Sequence, residues 1–72
     1  MYEKELKGIL KTVKNKRLKL GYSQMFVAEK LQITQNVYSK IEADKIKLTV
    51  CRLSMICDIL DIDIAELITS VQ

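Results

Sequence analysis

An all-α domain of five helices is the fold class that this sequence predicts, and three observations carry the prediction. The 72 residues contain no proline and only two glycines, Gly8 and Gly21, which leaves little material for tight turns. Apolar residues recur three and four apart along most of the chain, the period of a helix with one buried face. Ser23, Thr34 and Thr49 each stand in front of such a run, where a side-chain oxygen can accept the free N–H groups of a helix start.

The first helix is marked by Leu6, Ile9, Leu10, Val13 and Leu20, with Arg17 in the middle of the same stripe. An arginine aimed at a core calls for an anion, and Glu42 stands at the edge of the third helix's apolar arc. The breaker pair Gly21-Tyr22 precedes the second helix, Ser23-Gln24-Met25-Phe26-Val27-Ala28-Glu29-Lys30-Leu31. Only Gln32 and Ile33 then separate it from Thr34, the next cap. Two helices of about two turns joined so tightly must cross steeply, which is the arrangement of a helix-turn-helix, here over residues 23–43.

At about 100° per residue the third helix splits into an apolar arc of Val37, Tyr38 and Ile41 and an opposite arc of Gln35, Asn36, Ser39 and Lys40. Polar residues at helical spacing are most often plain surface, but a generic solvated face is richer in Glu and Lys. Two amides, a hydroxyl and one cation are groups that suit base edges in a DNA major groove.

The fourth helix is expected from the Thr49 cap to about Leu60, with Val50, Leu53, Ile56, Cys57 and Leu60 on its stripe. The fifth follows with Ile64, Leu67, Ile68 and Val71, capped by Asp61 or Asp63, whose charge suits the positive end of a helix. Outside the main stripe, Cys51, Met55 and Ile59 make a second apolar strip at i, i+4, i+8. A monomer of this size offers that strip no partner, so a homodimer through helix four or five is expected, with Met55 and Ile59 in its interface. Scattered surface hydrophobes are the plainer alternative.

Charge is unevenly spread around a net +3. Residues 1–19 hold Lys4, Lys7, Lys11, Lys14, Lys16, Arg17 and Lys19 against Glu3 and Glu5, whereas residues 53–72 hold only acids, Asp58, Asp61, Asp63 and Glu66. One end can face phosphates and the other should avoid them. Several classes are excluded. With no histidine, Ser23, Ser39, Ser54 and Ser70 have no imidazole base, and no glycine-rich phosphate loop is present, so no enzyme and no cofactor are expected. Cys51 and Cys57 lie six apart on different faces of one helix, which suits neither a disulfide nor a zinc site. The aspartates lack the glycine and closing glutamate of a calcium loop, so no metal is expected. No apolar run approaches about 18 residues and the start of the chain lacks a secretory pattern, so a cytoplasmic protein with no membrane contact is expected.

From Arg17-Leu18-Lys19-Leu20-Gly21-Tyr22-Ser23-Gln24 through Ala28-Glu29-Lys30-Leu31, Ile33-Thr34, Ser39-Lys40-Ile41-Glu42 and on to Leu53, Leu60 and Glu66-Leu67, the chain resembles the Cro and phage-repressor (XRE) type helix-turn-helix family. The resemblance covers about residues 9–69 and implies one compact five-helix, lambda-repressor-like DNA-binding domain over residues 1–72. Two departures stand out. The turn position that is commonly glycine is Gln32, and Lys16, Leu18 and Leu20 break the family's usual polarity in helix one.

Carried over position by position, the resemblance assigns base contacts to Gln35, Asn36, Ser39 and Lys40, and backbone contacts to Gln24 and Thr34. Lys45 and Lys47, in the loop after the reading helix, join the backbone set. It also pairs Arg17 with Glu42 in a structural salt bridge. The implied function is a sequence-specific, double-stranded DNA-binding transcriptional regulator, a dimer on a palindromic operator, with no small-molecule ligand. The alternative is an antitoxin-like interaction module with a toxin-like protein partner, or a restriction-system controller, on the same fold.

Overall fold

Four chain reversals of one kind set the architecture. A computed structural model describes the backbone of residues 2–70 and the side chains of residues 6–69, in the order α1 (Tyr2–Lys19), α2 (Gln24–Leu31), α3 (Gln35–Glu42), α4 (Val50–Leu60) and α5 (Ile64–Ser70). Helices α1 to α4 each end on a residue with positive φ: Gly21 (76°), Gln32 (60°), Asp44 (58°) and Asp61 (56°). The N–H of the residue after each bonds back five positions, Tyr22 to Arg17, Ile33 to Ala28, Lys45 to Lys40 and Ile62 to Cys57, at 2.8–3.0 Å. This closure satisfies the last carbonyls of the helix and usually adds an apolar contact from that same residue. Tyr22, Ile33 and Ile62 follow the rule and pack on the core. Lys45 breaks it and is exposed.

The starts are equally regular. Ser23, Thr34 and Thr49 accept the N–H of Phe26, Val37 and Arg52 at 3.0, 3.2 and 3.1 Å. Of the two aspartates considered for α5, Asp63 is the cap: its Oδ1 accepts from Ala65 at 2.9 Å and Glu66 at 3.3 Å, while Asp61 closes α4 instead. Each cap contributes about 1 kcal/mol. Helices of seven to eleven residues need that help, being too short to persist alone.

All five helices contribute to one core. Leu10 and Val13 of α1 meet Val27, Ala28 and Leu31 of α2, Tyr38 and Ile41 of α3, Leu53, Ile56, Cys57 and Leu60 of α4, and Leu67 of α5. Helix α1 packs against α3, α4 and α5, and α2 bridges α3 and α4. The described residues contain no strand.

Three expected core residues lie elsewhere. Leu20 is 38% exposed because α1 has ended and the chain reverses at Gly21, so Tyr22 covers the core in its place. Val50, 77% exposed, is the first residue after the Thr49 cap, a turn before the stripe meets its partners at Leu53. Ile68 is half-exposed because the short α5 presents Leu67, its neighbour, to the core. Val71 and the Lys4 side chain fall outside the described residues. Of the second strip on α4, Cys51 and Met55 are exposed, while Ile59 is partly buried against the core. Both cysteines are free thiols.

Candidate nucleic-acid interface

Helix α3 is built to present one face. Tyr38 and Ile41 are fully buried and Val37 is half-buried, which fixes the rotation of the helix about its axis. Gln35, Asn36 and Lys40 are consequently exposed on the opposite side, and Ser39 is half-buried on the flank toward α1 and α2. The preceding turn is held by Gln32 in the left-handed region, the non-glycine departure noted in the sequence, at a cost of about 1 kcal/mol. Thr34 spends its acceptor on the N–H of Val37, and its hydroxyl hydrogen remains available to a phosphate. Lys45 and Lys47 are exposed in the α3–α4 connection, Lys45 directly after the left-handed Asp44.

Behind this face lies a polar cluster that the structure assembles from three helices. Arg17 of α1 donates from Nε to Glu42 Oε2 at 2.8 Å and from Nη2 to Oε1 at 3.2 Å, a two-pronged pair, and from Nη1 to the Tyr22 carbonyl at 2.9 Å. The two side chains are 7% and 4% exposed. Tyr38 donates its hydroxyl to Oε2, and Gln24 Nε2 donates to Oε1 at 3.3 Å. Both carboxylate oxygens therefore have two donors each, as a buried charge demands.

The electrostatics follow from that packing. Burial alone pushes the Glu42 carboxyl up, but the hydrogen bonds from Arg17, Tyr38 and Gln24, with the Arg17 charge, outweigh it and hold the group below its ordinary value. The hydrogen bonds to Glu42 hold the Arg17 guanidinium above its own. Burial, then the hydrogen bond to Glu42, pushes the Tyr38 phenol far up, so it stays a donor.

The structure thus brings Arg17, Glu42 and Gln24 together, and sets Gln35, Asn36 and Lys40 side by side on one exposed face. Met55 and Ile59 lie on α4, on an element apart from that face. Two residues were not singled out by sequence reasoning. Tyr38 was read as core only, although its place four residues before Glu42 puts a phenol beside a carboxylate on one helix face. Lys14 was one of many lysines, yet it lines a cleft with Gln24, Ser39, Glu42 and Ala43.

A short, capped helix pair with a tight turn, seated on a third helix through a buried ion pair, defines a helix-turn-helix domain. The chain belongs to the Cro/C1-type helix-turn-helix (XRE) family, a family of DNA-binding regulatory domains, whose family model it matches over residues 13–67. That span begins within α1 and ends in α5, slightly inside the 9–69 expected from the residues. No curated protein and no solved structure matches the chain. Among the described residues no helix is long and apolar enough to cross a membrane, and no group of three or more acidic, cysteine or histidine side chains could hold a metal.

Proposed function

We propose that this protein is a sequence-specific regulator of transcription that inserts α3 into the major groove of double-stranded DNA. The observation that carries the reading is the division of α3: Tyr38 and Ile41 bury one side completely, and the side left exposed holds Gln35, Asn36 and Lys40. Gln35 and Asn36 are suited to adenine, whose N7 and N6 match a carboxamide, and Lys40 to guanine or a phosphate. Gln24, Thr34, Lys45 and Lys47 hold the backbone, which positions the domain without reading sequence. Its place of work is the cytoplasm.

The protein acts as a dimer on a two-fold related operator, the two copies meeting through α4, where Met55 is 44% exposed. The same surface supports a second reading, a protein-binding module with a toxin-like partner, because apolar Met55 lies on α4 near the acidic end of the molecule, Asp58, Asp61, Asp63 and Glu66.

Selection from a random duplex pool at moderate salt tests the main reading. A palindromic motif, lost on Gln35→Ala or Asn36→Ala without loss of helix content, is the expected result. Binding that is only salt-sensitive and indifferent to sequence rejects it in favour of the protein partner. Sedimentation of Met55→Asp and Ile59→Asp tests the dimer: a halved mass supports it, and an unchanged mass in both variants sinks it.

A further inference from the structure

Between α1, α2 and α3 lies a cleft of about 220 Å³ lined by Lys14, Gln24, Ser39, Glu42 and Ala43. We propose that this cleft seats one backbone phosphate of the DNA, gripped by Lys14, Gln24 and Ser39, and that Ser39 is therefore a backbone ligand and not a reader of bases. The inference rests on the DNA-binding reading above and changes the assignment of one of its residues.

Charge comes first, because Glu42 in the wall would repel an anion. Its side chain is 4% exposed, and both of its oxygens are taken up by Arg17, Tyr38 and Gln24. The Arg17–Glu42 pair sums to zero, so Lys14 sets the net charge of the cleft. Among the described residues the Lys14 ammonium has no acidic partner.

The hydrogen-bonding groups suit the same ligand. Gln24 gives one amide hydrogen to Glu42 Oε1 at 3.3 Å, which holds the carboxamide in place and leaves the second hydrogen for another acceptor. The Ser39 hydroxyl makes no hydrogen bond among the described residues and can donate. Gln24 also opens α2, where the first N–H groups of a helix favour an anion. Donors from three helices converge on a space with no uncompensated carboxylate. A larger groove of about 330 Å³ lies between α1 and the α4–α5 link, and there Asp61, Asp63 and Glu66 face Lys16. That groove would reject a phosphate.

As a base reader Ser39 would specify little in any case, since a lone hydroxyl can donate or accept and tolerates any base edge.

The test is fluorescence anisotropy on two labelled duplexes, one carrying the motif recovered from the pool and one a scrambled version, across a salt series. Lys14→Gln is expected to reduce the slope of log K against log salt by about 1 on both duplexes. Ser39→Ala is expected to weaken both by the same factor, leaving their ratio unchanged, with helix content and melting as in the parent. An unchanged slope in Lys14→Gln overturns the proposal. So does a Ser39→Ala loss confined to the motif duplex. Absence of binding by the parent protein to either duplex is a different result and rejects the DNA-binding reading itself.

Discussion

The α2–α3 half and the α4–α5 half of this molecule are built with the same ends and different middles. Both open on Ser, Thr or Asp caps, and both include a helix closed by a non-glycine residue at positive φ, Gln32 and Asp61. In the first half, Gln24, Tyr38 and Glu42 are knitted together with Arg17 of α1 beneath the exposed face of α3. In the second, Leu53, Ile56, Cys57, Leu60 and Leu67 pack with no ion pair among the described residues. Apolar burial stabilises without direction, whereas a fork of hydrogen bonds fixes angles. The half that must hold α3 at one rotation is the half that carries the polar cluster.

Deleting one partner from each half gives the largest expected effects. Glu42→Ala leaves Arg17 buried without its anion and should cost about 3–5 kcal/mol. Replacing both partners, Arg17→Met with Glu42→Leu, should recover only part of that loss, because the buried Tyr38 hydroxyl is left without its acceptor. Ile56→Ala in the second half should cost about 2–5 kcal/mol through the cavity it leaves, with no partner to rescue it. Urea unfolding at neutral pH measures all three. A double variant as unstable as the sum of its single changes would mean that the cluster is not acting as a unit.

The pH dependence separates the halves next. Glu42 titrates below its ordinary value when folded, so near pH 4 the unfolded chain binds more protons. Its contribution is complete above that range and is lost as pH falls through the folded pKa. On the alkaline side the sign reverses. Cys57 is pushed up by burial and then by the charges of Asp58 and Asp63, so its contribution is complete below about 8.5, the usual thiol value, and declines above it. Tyr38, raised in the same sense, begins to weaken the fold only from about pH 10. Glu42→Gln should flatten the acid limb of a stability profile, leave the Cys57 step alone and shrink the Tyr38 step, because Glu42 supplies part of the upward push on that phenol. Cys57→Ala should flatten the first alkaline step and leave the acid limb alone. Chemical unfolding in steps across pH 3–11 reads both, and an acid limb that survives Glu42→Gln would place the responsible carboxyl elsewhere.

How far the sequence revealed the fold depends on whether a signal is local or needs a neighbour, in both halves. Caps at Ser23, Thr34 and Thr49 and the split arcs of α3 are local, and a local signal survives without knowledge of the partner. Leu20, Val50 and Ile68 sit at correct helical phases but beyond or beside the span that a neighbouring helix covers, and periodicity does not say where a neighbour stops. The cleft was illegible for a related reason. Lys14, Gln24 and Ser39 come from three helices, and nothing in the spacing of the six lysines in residues 1–19 distinguishes the one that faces the other two.

The smallest effect tests the shared closure directly. Gln32 and Asp61 have nearly the same backbone, φ 60° and 56°, and each is followed by an isoleucine that packs on the core. Aspartate tolerates the left-handed region better than glutamine because its short polar side chain can bond locally. Glycine removes the strain at either site but gives back part of the gain through the freedom of the unfolded chain. Gln32→Gly should therefore stabilise by about 1 kcal/mol or less, and Asp61→Gly by less still. Asp61 also lines the acidic groove with Asp63 and Glu66, so thermal unfolding should be followed in about 1 M salt, where the loss of one negative charge is screened. Equal gains at the two sites would mean that the strain belongs to the turn and not to the side chain. A loss at Gln32 would show that the glutamine does something in the helix-turn-helix that its geometry alone does not express.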